Sequence, residues 1–129
     1  EIIGMMNITR VPRMPEFVRG VINLRGRVIP VLDLRAKFRM QSVEETKETC
    51  IIVVSMDGLL TGMVVDRVTE VLDIPGESVE DAPAFGAGID TDFIRGMGKV
   101  GERVVMLLHM DCVLSSSEME QLKSSADKA

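Results

Sequence analysis

Tryptophan and tyrosine are absent from this 129-residue sequence, and four phenylalanines are its only aromatic side chains. Proteins that grip single-stranded nucleic acid stack bases on aromatic rings, and that platform is lacking. Long apolar runs are absent too. The longest, CIIVV and VVMLL, are strand-sized and soon interrupted by charge, far short of the roughly 20 residues a helix needs to cross a bilayer. Cysteine occurs twice, as Cys50 and Cys112, each in an apolar segment with no Cys or His neighbour at ligand spacing. That pattern predicts two buried thiols in a reducing compartment, hence a cytoplasmic location. The single histidine, His109, ends an apolar strand-like run with no Ser or Cys nucleophile close in sequence, so packing is its expected role. Asp90 and Asp92 lack the glycine and terminal glutamate of a calcium loop and predict a solvated turn. Nothing here calls for an enzyme, a metal or a cofactor.

What is present is an uneven charge. Residues 1–40 carry eight basic against three acidic side chains, and residues 41–129 carry seven against seventeen. The acidic remainder would repel a polyanion, so the basic N-terminal part predicts a surface for a partner protein.

The order of elements follows from turn chemistry. Met5 to Pro15, with two prolines and no stable period, reads as a connector into a short turn at PEFVRG. Val21–Arg25 and Val28–Leu34 are β-branched runs joined across Arg-Gly, where Gly26 supplies the positive φ of a two-residue turn. Pro30 cannot donate to a ladder and predicts an edge, a bulge or an outward-facing position. Polar QSVEETKET (41–49) reads as a separator of two substructures. CIIVVSM and LLTGMVV flank Asp57-Gly58 and predict a second hairpin, with Gly62 marking a bulge or the close approach of another chain. A strand over Val68–Ile74 precedes a Gly/Ala/Pro-rich loop from Pro75 to Gly88. Phe93–Val100 and Arg103–Met110 predict a third hairpin, and a capping box over Ser115–Glu118 predicts a short polar helix ending near Ser125. Short strands at this spacing indicate an all-β barrel or sandwich.

GMGKVG (96–101) matches the glycine spacing of a dinucleotide fingerprint, but ERVVMLL continues it as strand where the fingerprint needs a helix N-terminus. A hairpin with glycine-lightened strands is expected instead. The ten methionines serve mostly as core fillers. Phe85, alone among small residues in PAFGAG, is either a lid on the core or an anchor for a partner. Arg25 and Arg27, at the first hairpin tip, point to opposite sides if they continue their strands. They either protect an exposed strand end or bind a carboxylate or the backbone carbonyls of a partner.

The run PEFVRGVINLRGRVIPVLDLRAKF, preceded by EIIGMMNITRVPRMP, resembles the CheW-like domain family, the adaptors of bacterial chemotaxis. GLLTGMVVDRVTEVL, the loop around DAPAF, FIRGMGKVGERVVMLL and the final helix are similar to successive family segments, so the resemblance covers nearly the whole chain. It implies two small five-stranded SH3-like β-barrels side by side, the first from residues 1–40 plus the C-terminal part and the second from about 48–100. It also implies a chemoreceptor's helical hairpin tip docked between them. The implied function is non-enzymatic coupling of transmembrane chemoreceptors to the histidine kinase CheA within membrane-recruited arrays. The alternative is a CheW-like regulatory domain excised from CheA or CheV. By motif, the implied receptor positions are Glu1, Ile2, Gly20, Asn23, Arg25, Gly62, Val68 and Val71. Those for the kinase regulatory domain are Arg10, Arg19 and Thr49 on one face and Glu80 and Phe85 on another. Some family members place a basic residue where Glu80 stands. Because the chain opens on Glu1, in what reads as a helix end, the family pattern further implies absent N-terminal strands. A first barrel with an unpaired edge, and self-association or strand exchange to cover it, would follow.

Overall fold

The structure is a computed structural model and describes residues 1–81 and 93–128, with side chains described through residue 124. Its residues group into two units, 1–69 with 116–129, and 70–115.

The first unit is built on β1 (Ile2–Gly4), β2 (Val18–Leu24), β3 (Arg27–Asp33), β4 (Cys50–Met56) and β5 (Leu59–Val65), in the order β1-β4-β5-β3-β2. Both tight hairpins form as their turn chemistry predicts. Arg25-Gly26 and Asp57-Gly58 each take positive φ at both central residues, the mirror-image turn whose twist suits antiparallel strands. β3 and β5 then pair in parallel, Val31 with Gly62 through Asp33 with Val64, which requires the crossover that a short helix, α1 (Leu34–Lys37), begins. Asp33 caps that helix, its carboxylate accepting from the amides of Arg35 (3.0 Å) and Ala36 (3.4 Å).

The sequence-based grouping changes here. The hairpin of β4 and β5, assigned above to a second barrel at about 48–100, lies in the first sheet between β1 and β3. Residues 41–49 therefore run within one unit and do not separate two. The N-terminal residues at 2–4 are a strand paired with β4, not the end of a helix.

Pro30 is completely buried in an interior strand, not at an edge. The reason lies in its neighbours. Val21, opposite Pro30, directs its own amide and carbonyl to Thr9 (2.8 and 2.9 Å), so the Val21/Pro30 rung needs no donor from the proline. The parallel pairing to β5 begins one residue later, at Val31. The same bridge to Thr9 covers the outer side of β2.

Alternation along these strands sorts the core. Ile22, Leu24, Ile29, Val31, Ile51, Val53 and Val64 form one cluster, with Ile3, Met5, Ile8 and Leu60 packed against it. Burial of each such side chain stabilises the fold by about 1.5–3 kcal/mol. Helix α3 (Ser116–Lys128) packs on β2 and β3 with Leu122 fully buried and Met119 nearly so. It is thus longer and more amphipathic than the polar helix predicted. Lys37 links α1 to it through Glu118 (2.8 Å) and lies 4.8 Å over the Phe17 ring.

The second unit carries β6 (Val79–Glu80), β7 (Ile94–Val100) and β8 (Arg103–Leu108), in the order β6-β7-β8, followed by the short helix α2 (Met110–Val113). The third predicted hairpin is present. GMGKVG runs through strand and turn, and its glycines serve packing: a Cβ at Gly96 would lie 2.7 Å from the Glu80 carbonyl oxygen, and one at Gly98 would lie 3.1 Å from Ile74. Val68–Ile74 is not a strand; Val71 is 84% exposed, and no sheet partner meets it among the described residues. Among the described residues this sheet has three strands and the first has five.

Candidate interaction surface

The tip of the β2–β3 hairpin carries the most specific polar geometry. The Asn23 side-chain oxygen accepts the Gly26 amide (2.8 Å), fixing the turn, and Arg25 is held at φ 51°. A non-glycine residue in that region is uncommon and strained. Arg25 then extends to Glu1 and donates through both terminal nitrogens, 2.7 Å to Oε2 and 2.5 Å to Oε1. Glu1 is itself anchored, because its carbonyl accepts from the Val53 amide (2.8 Å) and its backbone nitrogen donates to the Val53 carbonyl (3.2 Å). β1 and β2 stand at opposite ends of the sheet order, so this fork links the residue before one edge strand to the turn after the other.

The pairing has an electrostatic signature. The Arg25 hydrogen bond holds the Glu1 carboxyl below its usual range, and Glu1 in turn raises Arg25. Arg27, one residue past the turn, makes no ion pair among the described residues. Of the two arginines, Arg25 is the one committed to a carboxylate.

The other receptor-side candidates fall into distinct settings. Ile2 is an exposed β1 residue opposite Ile52. Gly20 sits at a β2 irregularity with φ 142°, where a Cβ would lie 2.1 Å from the Thr9 carbonyl oxygen, so only glycine admits the Thr9 bridge. Gly62 is buried in a regular, bulge-free strand, and a Cβ there would lie 2.8 Å from the Ile51 γ2 methyl. The expected bulge is thus absent, and the missing side chain leaves room for the Ile51 side chain. Val68 is half-buried after β5, whereas Val71 belongs to the second unit.

On the kinase side, Arg10 and Arg19 line one recess of about 400 Å³ with Val11, Pro12, Arg13 and Glu16. Arg19 pairs with Glu45 (3.1 Å), and Thr49 closes the next turn by accepting the Thr46 amide (2.8 Å). Arg10 and Arg19 thus share a recess, and Thr49 belongs to the turn that follows Glu45. Glu80 lies on β6, exposed and paired with Lys99 (2.6 Å). Phe85, Asp90 and Asp92 lie outside the described residues.

One feature escaped the sequence reading. Arg35 donates to both oxygens of Asp66 (2.8 and 2.6 Å) and to the Gln41 carbonyl (3.0 Å), at the margin of an open recess of about 360 Å³ lined by Leu34, Phe38, Met40 and Val64. The Arg35 hydrogen bond keeps the Asp66 carboxyl below its ordinary range. Asp33 before Leu-Arg-Ala-Lys was a legible helix cap, but nothing local pointed to Asp66. The cysteines also differ from expectation: Cys112 is exposed on α2 and Cys50 only half-buried, so neither is a core thiol. His109 is exposed, with its amide bonded to the Phe93 carbonyl (2.7 Å). No cluster of metal-ligating side chains and no helix long and apolar enough to cross a membrane occurs among the described residues.

Comparison with known proteins identifies the family. The model of the CheW-like domain family matches residues 1–118. The chain is 40% identical over 119 residues to chemotaxis protein CheW of Klebsiella aerogenes, covering 92% of this chain and 72% of that protein. It is 34% identical over 123 residues to chemotaxis protein CheW of Thermotoga maritima, covering 93% and 78%. A crystal structure of the scaffolding protein TtCheW from Thermoanaerobacter tengcongensis superposes with a TM-score of 0.81 at 34% identity, over 92% of this chain and 80% of that one. That neighbour supports the SH3-like reading of the fold, and relatives named CheW favour an adaptor over a domain cut from CheA or CheV. With its LRG hairpin tip, its two sheets and its C-terminal helix, the chain belongs to the CheW-like domain family.

Proposed function

We propose that this chemotaxis adaptor couples the cytoplasmic tip of chemoreceptors to the regulatory domain of CheA, without chemistry of its own, within arrays at the membrane. The observation that carries the receptor side is the Arg25–Glu1 fork at an exposed, rigid hairpin tip. A carboxylate or backbone carbonyl on the receptor tip would share or replace Glu1 as acceptor. Such an exchange of one charge-assisted bond for another costs little, which suits a reversible contact. Asn23 fixes the turn at that tip and Ile2 follows Glu1 on β1, whereas Gly20 lies farther back on β2 beside Thr9. The recess holding Arg10 and Arg19, with Thr49 nearby, is the first kinase face, and Glu80 with Phe85 is the second.

An adaptor transmits control only when its contacts differ between the kinase-on and kinase-off states, because a ligand with equal affinity for both shifts nothing. The test is reconstitution of CheA with receptor-bearing vesicles, reading autophosphorylation with and without the chain. Receptor control that depends on the chain supports the reading, and control that is unchanged by its omission refutes it.

A further inference from the structure

We propose that the recess along residues 10–19 is a phosphate-binding site formed by Arg10, Arg13 and Arg19. It takes a phosphate dianion, free or as the end group of a small phosphomonoester. The proposal concerns this recess and Glu45 alone and does not rest on the adaptor reading.

The segment that carries the site is held at both ends. Ahead of it, Thr9 exchanges amide and carbonyl bonds with Val21 (2.8 and 2.9 Å), and behind it the Val18 amide donates to the Pro15 carbonyl (3.0 Å). Between them Pro12 and Pro15 fix their own φ, so the arginines stand on a backbone with little freedom to lose on binding. The recess measures about 400 Å³, within the range of small-ligand sites.

Its charge selects the occupant. Arg10, Arg13 and Arg19 line it with Glu16 as the one acid, which leaves two positive charges in excess. A phosphomonoester at neutral pH carries about −1.5 to −2 charges and three acceptor oxygens, and guanidinium forks match that geometry. A single carboxylate would neutralise half of the excess and offer two oxygens. Val11, Pro12 and Met14 give the same recess an apolar wall for whatever carries the phosphate.

Two further features single out the arginines. Pro12 and Arg13 form a turn in which Arg13 is held at φ 63°. Following proline in a turn, a residue with positive φ is ordinarily glycine or asparagine. An arginine kept in that strained conformation at a cationic recess points to a use for its side chain. Arg19, meanwhile, already holds an anion: it donates to Glu45 (3.1 Å) through a single bond, in a partly exposed pair. Glu45 is thus an internal competitor, and an entering phosphate exchanges one charge-assisted bond to Arg19 for another.

The test is an NMR titration of the 129-residue chain with inorganic phosphate, AMP and adenosine. Phosphate and AMP should give saturable shifts centred on the Arg10, Arg13 and Arg19 amides, and adenosine none. AMP binding tighter than phosphate identifies a phosphomonoester site, and equal binding identifies a site for the free anion. Arg13→Asn should weaken phosphate binding by about tenfold while raising the thermal midpoint, because asparagine suits positive φ and carries no charge. Glu45→Gln should tighten binding severalfold by freeing Arg19. Arg27→Ala, which removes an equal charge outside the recess, should leave the affinity unchanged. No saturable binding, a loss in Arg27→Ala equal to that in Arg13→Asn, adenosine binding as tightly as AMP, or an affinity indifferent to both Arg13→Asn and Glu45→Gln would each overturn the proposal.

Discussion

Arg25 binds Glu1 through a two-nitrogen fork although the two residues belong to elements at opposite ends of the sheet order. One exposed ion pair thereby ties the hairpin tip to the residue that precedes β1. Substitutions at this position should act on the backbone and on the pair separately. Arg25→Gly relieves the left-handed backbone, while Arg25→Ala keeps it, and both lose Glu1. Thermal melts should therefore rank the glycine variant a few degrees above the alanine variant. Equal midpoints would show that the turn is unstrained.

Gly62 packs closely against Ile51, and that packing can be tested. Gly62→Ala presses a methyl against the Ile51 γ2 methyl and should destabilise the chain by about 1–3 kcal/mol in denaturant titration. Adding Ile51→Leu, which lacks the branched methyl, should recover part of that loss. If Gly62→Ala is neutral for stability yet abolishes receptor binding, the glycine serves a partner after all.

The hairpins were readable from the sequence because Arg-Gly and Asp-Gly turns are decided by neighbours in the chain. The grouping of strands was not. β3 and β5 pair in parallel across an intervening helix and strand, and no local residue announces that contact. Arg35 and Asp66 were missed for the same reason, being 31 residues apart. Val68–Ile74 shows the opposite failure: its β-branched residues suit a strand, but Glu70 and Asp73 interrupt the run and Val71 has no surface to pack on. Of the candidate site, the tip residues Asn23 and Arg25 were legible in NLRG, whereas Glu1 as Arg25's partner required the fold.

Acid should weaken the first unit through two carboxylates. Glu1 and Asp66 have lowered folded-state pKa values, so the unfolded chain takes up protons at these sites first. Their stabilising contribution is present at neutral pH, declines as pH falls below the ordinary carboxylate range, and is lost once pH passes below the folded values. Carboxyl titration followed by NMR should show both midpoints below the usual range, with Glu1 returning to it in Arg25→Ala and Asp66 unaffected. A Glu1 midpoint that does not move in Arg25→Ala would contradict the assigned cause.

Helix α3 is expected to be part of the first unit's core. Leu122→Ala should cost about 2–5 kcal/mol, measured as a lower denaturant midpoint at unchanged slope, because Leu122 is fully buried against β2 and β3. A change within a few tenths of a kcal/mol would mean that the helix is dispensable to the fold.

The most direct test of the account is a pair of binding titrations, one against the receptor's helical hairpin tip and one against the CheA regulatory domain, with Arg25→Ala and Phe85→Ser run beside the parent chain. Arg25→Ala should weaken receptor binding by about tenfold and leave kinase binding unchanged, the loss expected when a charge-assisted bond is removed from an interface. Phe85→Ser should do the reverse. Receptor binding that is indifferent to Arg25, in chains shown to be folded, would contradict it.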